Sequence, residues 1–280
     1  MRSVAHTGPG GLAAAFYELG YVFPLDIFSA DEAIGHRRDL ERLEARIRQE
    51  RVGNRDQLNY PHVIFRFANR IVRDPRLLDA IEELLGSDLL VWGATFFIKE
   101  PHTESYASWH QDLRYWGLDD VDSQVSAWIA LGPVTIANGC MRFVPKSHKG
   151  PIVPHLDTYA EENVLTRGQE AQVEIDEQKI VHVELFPGQV SLHHGKLLHA
   201  SAPNRTDERR IGLSIQFIAP HVRQTVARKD YAMLVRGEDR YRHFEHVPAP
   251  SDDLSEAALM WHNRILDAQN EAMYDGAETS

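Results

Sequence analysis

Apolar residues recur at helical spacing in three segments of the N-terminal third of the chain. The spacing predicts a short helix over 11–19, a longer charged helix over about 30–50 that begins after Ser29, and a third helix over 76–85. Residues 21–24, rich in β-forming side chains, predict a short strand after the first helix.

After Gly86 the pattern changes to short runs of β-forming residues, separated by stretches rich in proline, glycine, asparagine and aspartate. The runs that predict strands cover 89–99, 124–131, 140–144, 171–184, 189–194 and 210–218. Helices followed by many short strands indicate a β-sandwich or barrel with a helical N-terminal layer.

We therefore expect a mainly β protein with α-helices, organised as a single domain over 1–280. A mostly helical layer would occupy 1–88, the β core 89–220, and a tail 221–280 with a helix near 254–273.

Composition and charge narrow the classes of function. The formal net charge of −11 argues against a general nucleic-acid or membrane-surface binder, which needs a basic surface. The single cysteine, Cys140, excludes an intrachain disulfide framework and a thiolate-based metal site. The first residues carry no apolar secretory segment and no run is long enough to span a membrane, so we expect a cytoplasmic protein.

Candidate metal chemistry begins with histidine–acid pairs separated by one residue, which are common by chance among 15 histidines and 41 acidic residues. The pairs are His102/Glu104, His110/Asp112, His155/Asp157, His182/Glu184 and His243/Glu245. Only the pair at 110 and 112 follows a long predicted strand, where residues i and i+2 share a face. The pair at 155 and 157 is the rival, but 151–168 is predicted to be a long polar loop without a strand to hold ligands.

A third metal ligand is available in the stretch SLHHGKLLHAS, which contains His193, His194 and His199. Two histidines and one carboxylate on one face of a metal suit non-haem Fe(II) and O2 chemistry. Farther on, Arg210 begins a predicted strand, where its guanidinium could bind a carboxylate in bidentate fashion. Taken alone, Arg210 would fit a surface salt bridge better.

Several motifs in a fixed order resemble the phytanoyl-CoA dioxygenase family of Fe(II)/2-oxoglutarate oxygenases, over about residues 74–217. The motifs are Phe97-Ile98-Lys99-Glu100-Pro101, Trp109-His110-Gln111-Asp112, Trp128, Asn138-Gly139-Cys140, Pro145-Lys146-Ser147-His148, His199-Ala200-Ser201 and Arg210. The resemblance implies a double-stranded β-helix, a jelly-roll of the cupin type.

By the same resemblance, His110, Asp112 and His199 are the expected iron ligands. Arg210 is expected to hold the distal carboxylate of 2-oxoglutarate beside Ser201, and Trp128 and Thr95 match further positions of that pocket. With O2, 2-oxoglutarate would be converted to succinate and CO2. Related halogenases lack the carboxylate ligand, so Asp112 favours hydroxylation of an unactivated C–H bond.

The substrate is predicted only as a class. Alternation along 89–99 directs Lys99 to the same face as Thr95, and Asn59 and His62 stand in a predicted polar loop ahead of the core. Lys99, Asn59 and His62 are candidate substrate contacts, and the preferred substrate is a small anionic or zwitterionic metabolite. Two alternatives stay open, a cupin-type isomerase or hydrolase that does not use 2-oxoglutarate and a non-enzymatic jelly-roll that binds a ligand. The sequence leaves the oligomeric state open.

Overall fold

A computed structural model describes residues 11–50 and 58–273, without the side chains of 49, 50 and 273. The helices are α1 (Gly11–Leu19), α2 (Ala30–Glu50), α3 (Pro61–Ile64), α4 (Arg66–Val72), α5 (Pro75–Leu85) and α6 (Glu256–Met273). The strands are β1 (Tyr21–Asp26), β2 (Leu89–Lys99), β3 (Ala107–His110), β4 (Gln124–Ala130), β5 (Met141–Phe143), β6 (His155–Asp157), β7 (Gln169–Ala171), β8 (Val181–Val183), β9 (Gln189–His193), β10 (His199–Ser201), β11 (Arg210–Ile218), β12 (Tyr231–Arg236) and β13 (Glu245–His246).

The described residues fall into two compact units. The first contains 11–44, 96–112 and 126–214. The second contains the described parts of 45–95, 113–125 and 215–273. The expectation of a single domain stays a prediction.

The first unit contains two antiparallel sheets that share one apolar core. One sheet has the order β1-β9-β4-β11 and the other β3-β10-β5-β8. Inward-facing side chains from both sheets, such as Tyr21, Trp128 and Phe143, belong to one buried cluster. Two antiparallel sheets packed over a common core are the jelly-roll arrangement, so the predicted fold class is confirmed.

The start of α2 in the first unit follows from local chemistry. The Ser29 hydroxyl accepts a hydrogen bond from the Glu32 amide (3.2 Å), and the Glu32 carboxylate accepts one from the Ser29 amide (2.7 Å). This capping box satisfies two backbone donors that the first turn leaves unpaired. The helix predicted after Ser29 therefore begins where expected.

The second unit contains α3 to α6, the first part of β2, and the strands β12 and β13, with the order β2-β12-β13. The prediction of a polar loop around Asn59 and His62 was wrong in part, because Pro61–Ile64 is a helix whose four residues are all buried. Pro61 occupies the first helical turn, where proline is tolerated, and the apolar Val63 and Ile64 bury the turn.

Three other expectations need correction. The run 171–184 does not form one strand, because a charged 3-10 turn at Glu177–Lys179 separates β7 from β8. The polar loop over 151–168 contains β6, which pairs with β7. The tail before α6 contains β12 and β13, and both were missed because each strand is short or partly exposed. No helix in the described part of the chain combines the length and apolar character that a membrane crossing requires.

Candidate active site

The first unit brings His110, Asp112 and His199 together. His110 ends β3, His199 begins β10, and these two residues are directly paired across the antiparallel strands. One ligand atom from each of the three side chains lies within 4.8 Å of the others. Asp112 begins a 3-10 turn, Asp112–Arg114, so the expectation that it continues the strand was wrong. It reaches the cluster because the chain turns back after His110.

Backbone hydrogen bonds fix the orientation of both imidazoles. Nδ1 of His110 lies 2.8 Å from the Ser108 carbonyl oxygen, and Nδ1 of His199 lies 2.9 Å from that of Leu197. Because a carbonyl only accepts, each Nδ1 carries the proton and donates it. The Nε2 atoms, which carry no hydrogen in the neutral tautomer with the proton on Nδ1, face Asp112 Oδ1, at 3.3 Å for His110 and 3.6 Å for His199. This is the orientation that metal-binding histidines adopt.

The protonation states also suit a metal. Burial, followed by the neighbouring His110, lowers the pKa of His199 to about 3, so its imidazole is neutral at physiological pH. Burial alone would raise the pKa of the Asp112 carboxyl, but the neighbouring imidazoles, that of His199 above all, outweigh it and hold the pKa well below its usual range. His199 therefore offers a neutral nitrogen and Asp112 an ionised carboxylate, which are the forms that bind metals.

Gln111, between two of the candidate ligands, anchors their loop. Its side chain is fully buried, donates to the carbonyls of Lys196 (2.8 Å) and Pro151 (3.3 Å), and accepts from the Val153 amide (2.8 Å). The backbone N–H of Gln111 donates to His155 Nε2 (3.1 Å). The loop that carries His110 and Asp112 is thus tied to two other segments of the first unit.

The rival pair His155 and Asp157 is engaged elsewhere in this unit. Nδ1 of His155 lies 2.8 Å from the Val153 carbonyl oxygen, while its Nε2 accepts from Gln111. Asp157 forms an ion pair with Arg167. Among the described residues, His110, Asp112 and His199 are the group of three or more histidine, cysteine and acidic side chains close enough to hold a metal ion.

A cationic pocket in the same unit contains Lys99 and Arg210. The Lys99 ammonium donates to the Ser201 hydroxyl (2.8 Å) and to the Ala202 carbonyl, and only 2 % of Lys99 is exposed. Arg210, 3 % exposed, lies over the Trp128 ring with its Cζ 5.2 Å from the ring centroid. Its Nε has no hydrogen-bond partner, and neither cation pairs with a carboxylate of the described chain.

Burial and mutual repulsion set the charge state of this pocket. Burial, then Arg210 and Arg142, lowers the pKa of Lys99 to about 6. Burial lowers the pKa of Arg210 to about 10. Two buried basic groups without an acidic partner are costly unless an anion compensates them. The arrangement therefore fits a carboxylate-bearing ligand.

Gly212 allows the Trp128 indole to approach the strand that carries Arg210. A Cβ at Gly212 would lie 1.8 Å from Trp128 Cζ2, so any larger residue would displace the ring. Close approach of this kind is a specific use of glycine within a strand. Trp128 and Gly212 together thus form one wall beside Arg210.

The remaining predicted site residues lie in the second unit. Asn59 and Thr95 face each other in an isolated antiparallel bridge. His62 is buried in α3, and burial, followed by His262 and Arg73, lowers its pKa to about 3. The structure therefore brings Asn59 and Thr95 together and buries His62 close to His262 and Arg73.

Sequence reasoning missed two polar neighbours of Asp112. The Ser126 hydroxyl lies 3.4 Å from Asp112 Oδ2, and His193 Nε2 lies 3.7 Å from the same oxygen. Both could have been found by strand alternation, since Ser126 stands two residues before the inward-facing Trp128 and pairs directly with His193. His194, the neighbouring histidine, packs on His148 with ring centroids 5.2 Å apart.

Comparison with known proteins identifies the family. The sequence profile of the family "Phytanoyl-CoA dioxygenase (PhyH)" matches residues 16–212. A probable phytanoyl-CoA dioxygenase of Caenorhabditis elegans is 32% identical over 149 residues, which is 51% of this chain and 48% of that protein. A probable alpha-ketoglutarate-dependent hypophosphite dioxygenase of Stutzerimonas stutzeri is 27% identical over 57% of this chain and 55% of its own length. The matches thus span about half the length of these curated relatives.

A solved structure matches almost the whole chain. The apo form of the non-heme monooxygenase ThoJ superposes with a TM-score of 0.85 and 35% identity, covering 95% of this chain and 98% of ThoJ. The nickel complex of ThoJ superposes with a TM-score of 0.79 and 33% identity over 95% of this chain and 99% of that one.

Proposed function

The chain belongs to the phytanoyl-CoA dioxygenase family, and on this premise we propose that it is an iron(II)- and 2-oxoglutarate-dependent oxygenase that hydroxylates an unactivated C–H bond of a small molecule. One observation carries the proposal. A His-Asp-His cluster and a buried cationic pocket that has no acidic partner among the described residues occur together in one unit. The first fits a divalent metal and the second fits a dicarboxylic co-substrate.

The named relatives support both cofactors. The Stutzerimonas stutzeri relative is named as alpha-ketoglutarate-dependent, and ThoJ forms a nickel complex. In this chain His110, Asp112 and His199 would hold the iron. Bound iron and 2-oxoglutarate supply, with O2, the oxidising power that removes hydrogen from a C–H bond, as 2-oxoglutarate becomes succinate and CO2.

The chain's own residues supply binding and orientation. Arg210 and Ser201 would bind the distal carboxylate of 2-oxoglutarate, and the Trp128 indole over the guanidinium keeps water from it. Lys99 donates to Ser201, so we assign it to this co-substrate pocket rather than to the substrate. Hydrogen bonds from Nδ1 to backbone carbonyls keep the Nε2 atoms of His110 and His199 available to the metal.

The substrate stays a prediction at the level of class, a small anionic or zwitterionic molecule, with Asn59 and His62 as candidate contacts and Thr95 as a candidate for the co-substrate pocket. No particular observation favours a cupin-type isomerase or hydrolase, or a non-enzymatic ligand-binding jelly-roll, over the oxygenase. Neither alternative requires two buried basic side chains, such as Lys99 and Arg210, that lack a carboxylate partner among the described residues. Cytoplasmic location also stays a prediction.

An anaerobic spectroscopic titration tests the proposal. The metal-free protein is titrated with Fe(II) and then with 2-oxoglutarate while the visible spectrum is recorded. We expect a weak absorption band that requires both additions and that Asp112→Asn abolishes. Asp157→Asn, which removes the carboxylate of the rival pair, is the matched control and should keep the band. A folded wild-type protein that gives no band contradicts the proposed function.

A further inference from the structure

The two oxygens of Asp112 have different neighbours. Oδ1 faces the Nε2 atoms of His110 and His199, at 3.3 and 3.6 Å, and so points to the place where the three candidate ligands converge. Oδ2 has two other neighbours, His193 Nε2 at 3.7 Å and the Ser126 hydroxyl at 3.4 Å. The carboxylate therefore has a metal side and a protein side.

His193 is held in place by the sheet and by aromatic packing. It ends β9, is paired on one side with Tyr21 and on the other with Ser126, and is 2 % exposed. Its ring centroid lies 5.4 Å from that of Phe143 and 5.0 Å from that of His199. A buried imidazole with neighbours on both flanking strands has little freedom to turn away from Asp112.

Asp112 is the polar group that His193 faces. Nδ1 of His193 has no hydrogen-bond partner among the described residues, and its Nε2 faces Asp112 Oδ2. The distance of 3.7 Å between these two atoms is that of an ion pair and is longer than a hydrogen bond. A small rotation of the carboxylate would shorten this distance. Burying an imidazole costs free energy unless one of its nitrogens is paired.

His193 is not a fourth ligand in this geometry. The described group of potential ligands that lie within 4.8 Å of one another contains His110, Asp112 and His199 and does not include His193. It approaches Oδ2, whereas His110 and His199 approach Oδ1. Its place is therefore behind the carboxylate rather than beside the metal position.

We infer that His193 is a positioning residue that donates from Nε2 to Asp112 Oδ2 and thereby keeps Asp112 a metal ligand through Oδ1 alone. A carboxylate that bound through both oxygens would occupy one more position on the metal, which the co-substrate and O2 need. Residues that hydrogen-bond to a metal ligand orient that ligand and typically contribute about 10–100-fold to metal affinity. The inference rests on the proposed function, because it requires a metal at this cluster.

Cobalt(II) binding to the full chain tests the inference without turnover. Wild type, His193→Phe and His193→Gln are titrated with Co(II), and the dissociation constant, the visible spectrum and the melting temperature of the metal-free protein are measured. We expect His193→Phe to weaken Co(II) binding about 10–100-fold and to change the intensity of the cobalt bands. His193→Gln, which keeps a donor, should recover most of the affinity.

Ser191→Ala is the matched control, because Ser191 lies two residues earlier on the same face of β9 and its hydroxyl has no hydrogen-bond partner. It should bind Co(II) as wild type does. Wild-type affinity in His193→Phe overturns the inference and leaves the proposed function intact. Equal losses in the Phe and Gln variants with lowered melting temperatures also overturn it, since they indicate a packing role. A wild-type protein that fails to bind Co(II) refutes the proposed function, and the inference falls with it.

Discussion

The metal-binding cluster and the cationic pocket, both in the first unit, differ in how the chain compensates their polar groups. In the cluster, the Asp112 carboxylate faces two imidazoles whose other nitrogens donate to backbone carbonyls. In the pocket, Lys99 and Arg210 lie buried without a carboxylate partner. The cluster is thus arranged by folding itself, whereas the pocket carries an unfavourable charge that a bound anion relieves. Substitutions in the two places should therefore affect different ligands and have different effects on stability.

The largest effect should come from Asp112→Asn, which removes the charged ligand of the cluster. We expect affinity for Fe(II) or Co(II) to fall by at least about 100-fold, because an amide is a far weaker ligand than a carboxylate and leaves the metal charge uncompensated. Isothermal titration with Co(II) measures this, with Asp157→Asn as control. Comparable losses in both variants would mean that the metal does not bind at His110, Asp112 and His199.

Arg210→Leu should give the next largest effect and should separate the two sites. We expect the affinity for 2-oxoglutarate to fall about 10–100-fold at saturating metal, because a charge-assisted pair is lost, while metal affinity alone stays unchanged. Arg209→Leu is the neighbouring control; Arg209 pairs with Glu44 and Glu100, so its loss should affect stability but not 2-oxoglutarate binding. An Arg210→Leu variant with normal 2-oxoglutarate affinity would mean that Arg210 does not hold the co-substrate.

Lys99 should make 2-oxoglutarate binding depend on pH. Burial lowers the pKa of free Lys99 to about 6, and a bound carboxylate favours its protonated form. Above pH 6 binding therefore takes up a proton, and affinity should fall as pH rises, by up to about tenfold per pH unit. Titrations between pH 6 and 8.5 measure the slope.

Lys99→Met should remove that slope and also raise the melting temperature of the ligand-free protein, since it deletes a buried basic group without a carboxylate partner. The pKa of Lys99 is lower in the folded protein than in the unfolded chain, so the free energy of unfolding of the wild type falls as pH falls towards 6. The variant should not show this fall. A variant with the wild-type slope would place the titrating group elsewhere.

Gln111→Leu should have the smallest effect on binding and a clear effect on stability. It removes three buried hydrogen bonds and leaves the Val153 amide and two carbonyls unpaired, so the free energy of unfolding should drop by about 1–3 kcal/mol. Metal affinity should weaken several-fold, because the loop that holds His110 and Asp112 is loosened. Chemical denaturation measures the first quantity, with the exposed Gln172→Leu as control.

The sequence could predict the fold class and the identity of the clustered residues, because both depend on patterns that are local or ordered along the chain. Hydrophobic spacing placed α1, α2, α5 and β2 correctly, and Ser29 marked the start of α2. Motif order predicted that His110, Asp112 and His199 belong together. The physical reason offered for the first two was wrong, since Asp112 lies in a turn rather than a strand.

What the sequence could not predict depends on long-range packing. The β6 strand is short and polar and is recognisable only through its pairing with β7. Strand alternation could place His193 on the inner face, but its approach to Asp112 joins distant parts of the chain and appears only in the structure. The assignment of Lys99 changed for the same reason, since its contact with Ser201 joins residues 102 positions apart.

The wide separation of the cluster residues along the chain has a mechanical consequence. A metal bound by His110, Asp112 and His199 acts as a reversible cross-link that closes a long loop, including the β6–β7 hairpin, between β3 and β10. Ligands that bind only the folded state stabilise it by mass action, by about 2.7 kcal/mol when the free metal is at 100 times its dissociation constant. The residues near β3 and β10 should therefore resist proteolysis and amide hydrogen exchange in the metal-loaded protein, and chelation should reverse this protection.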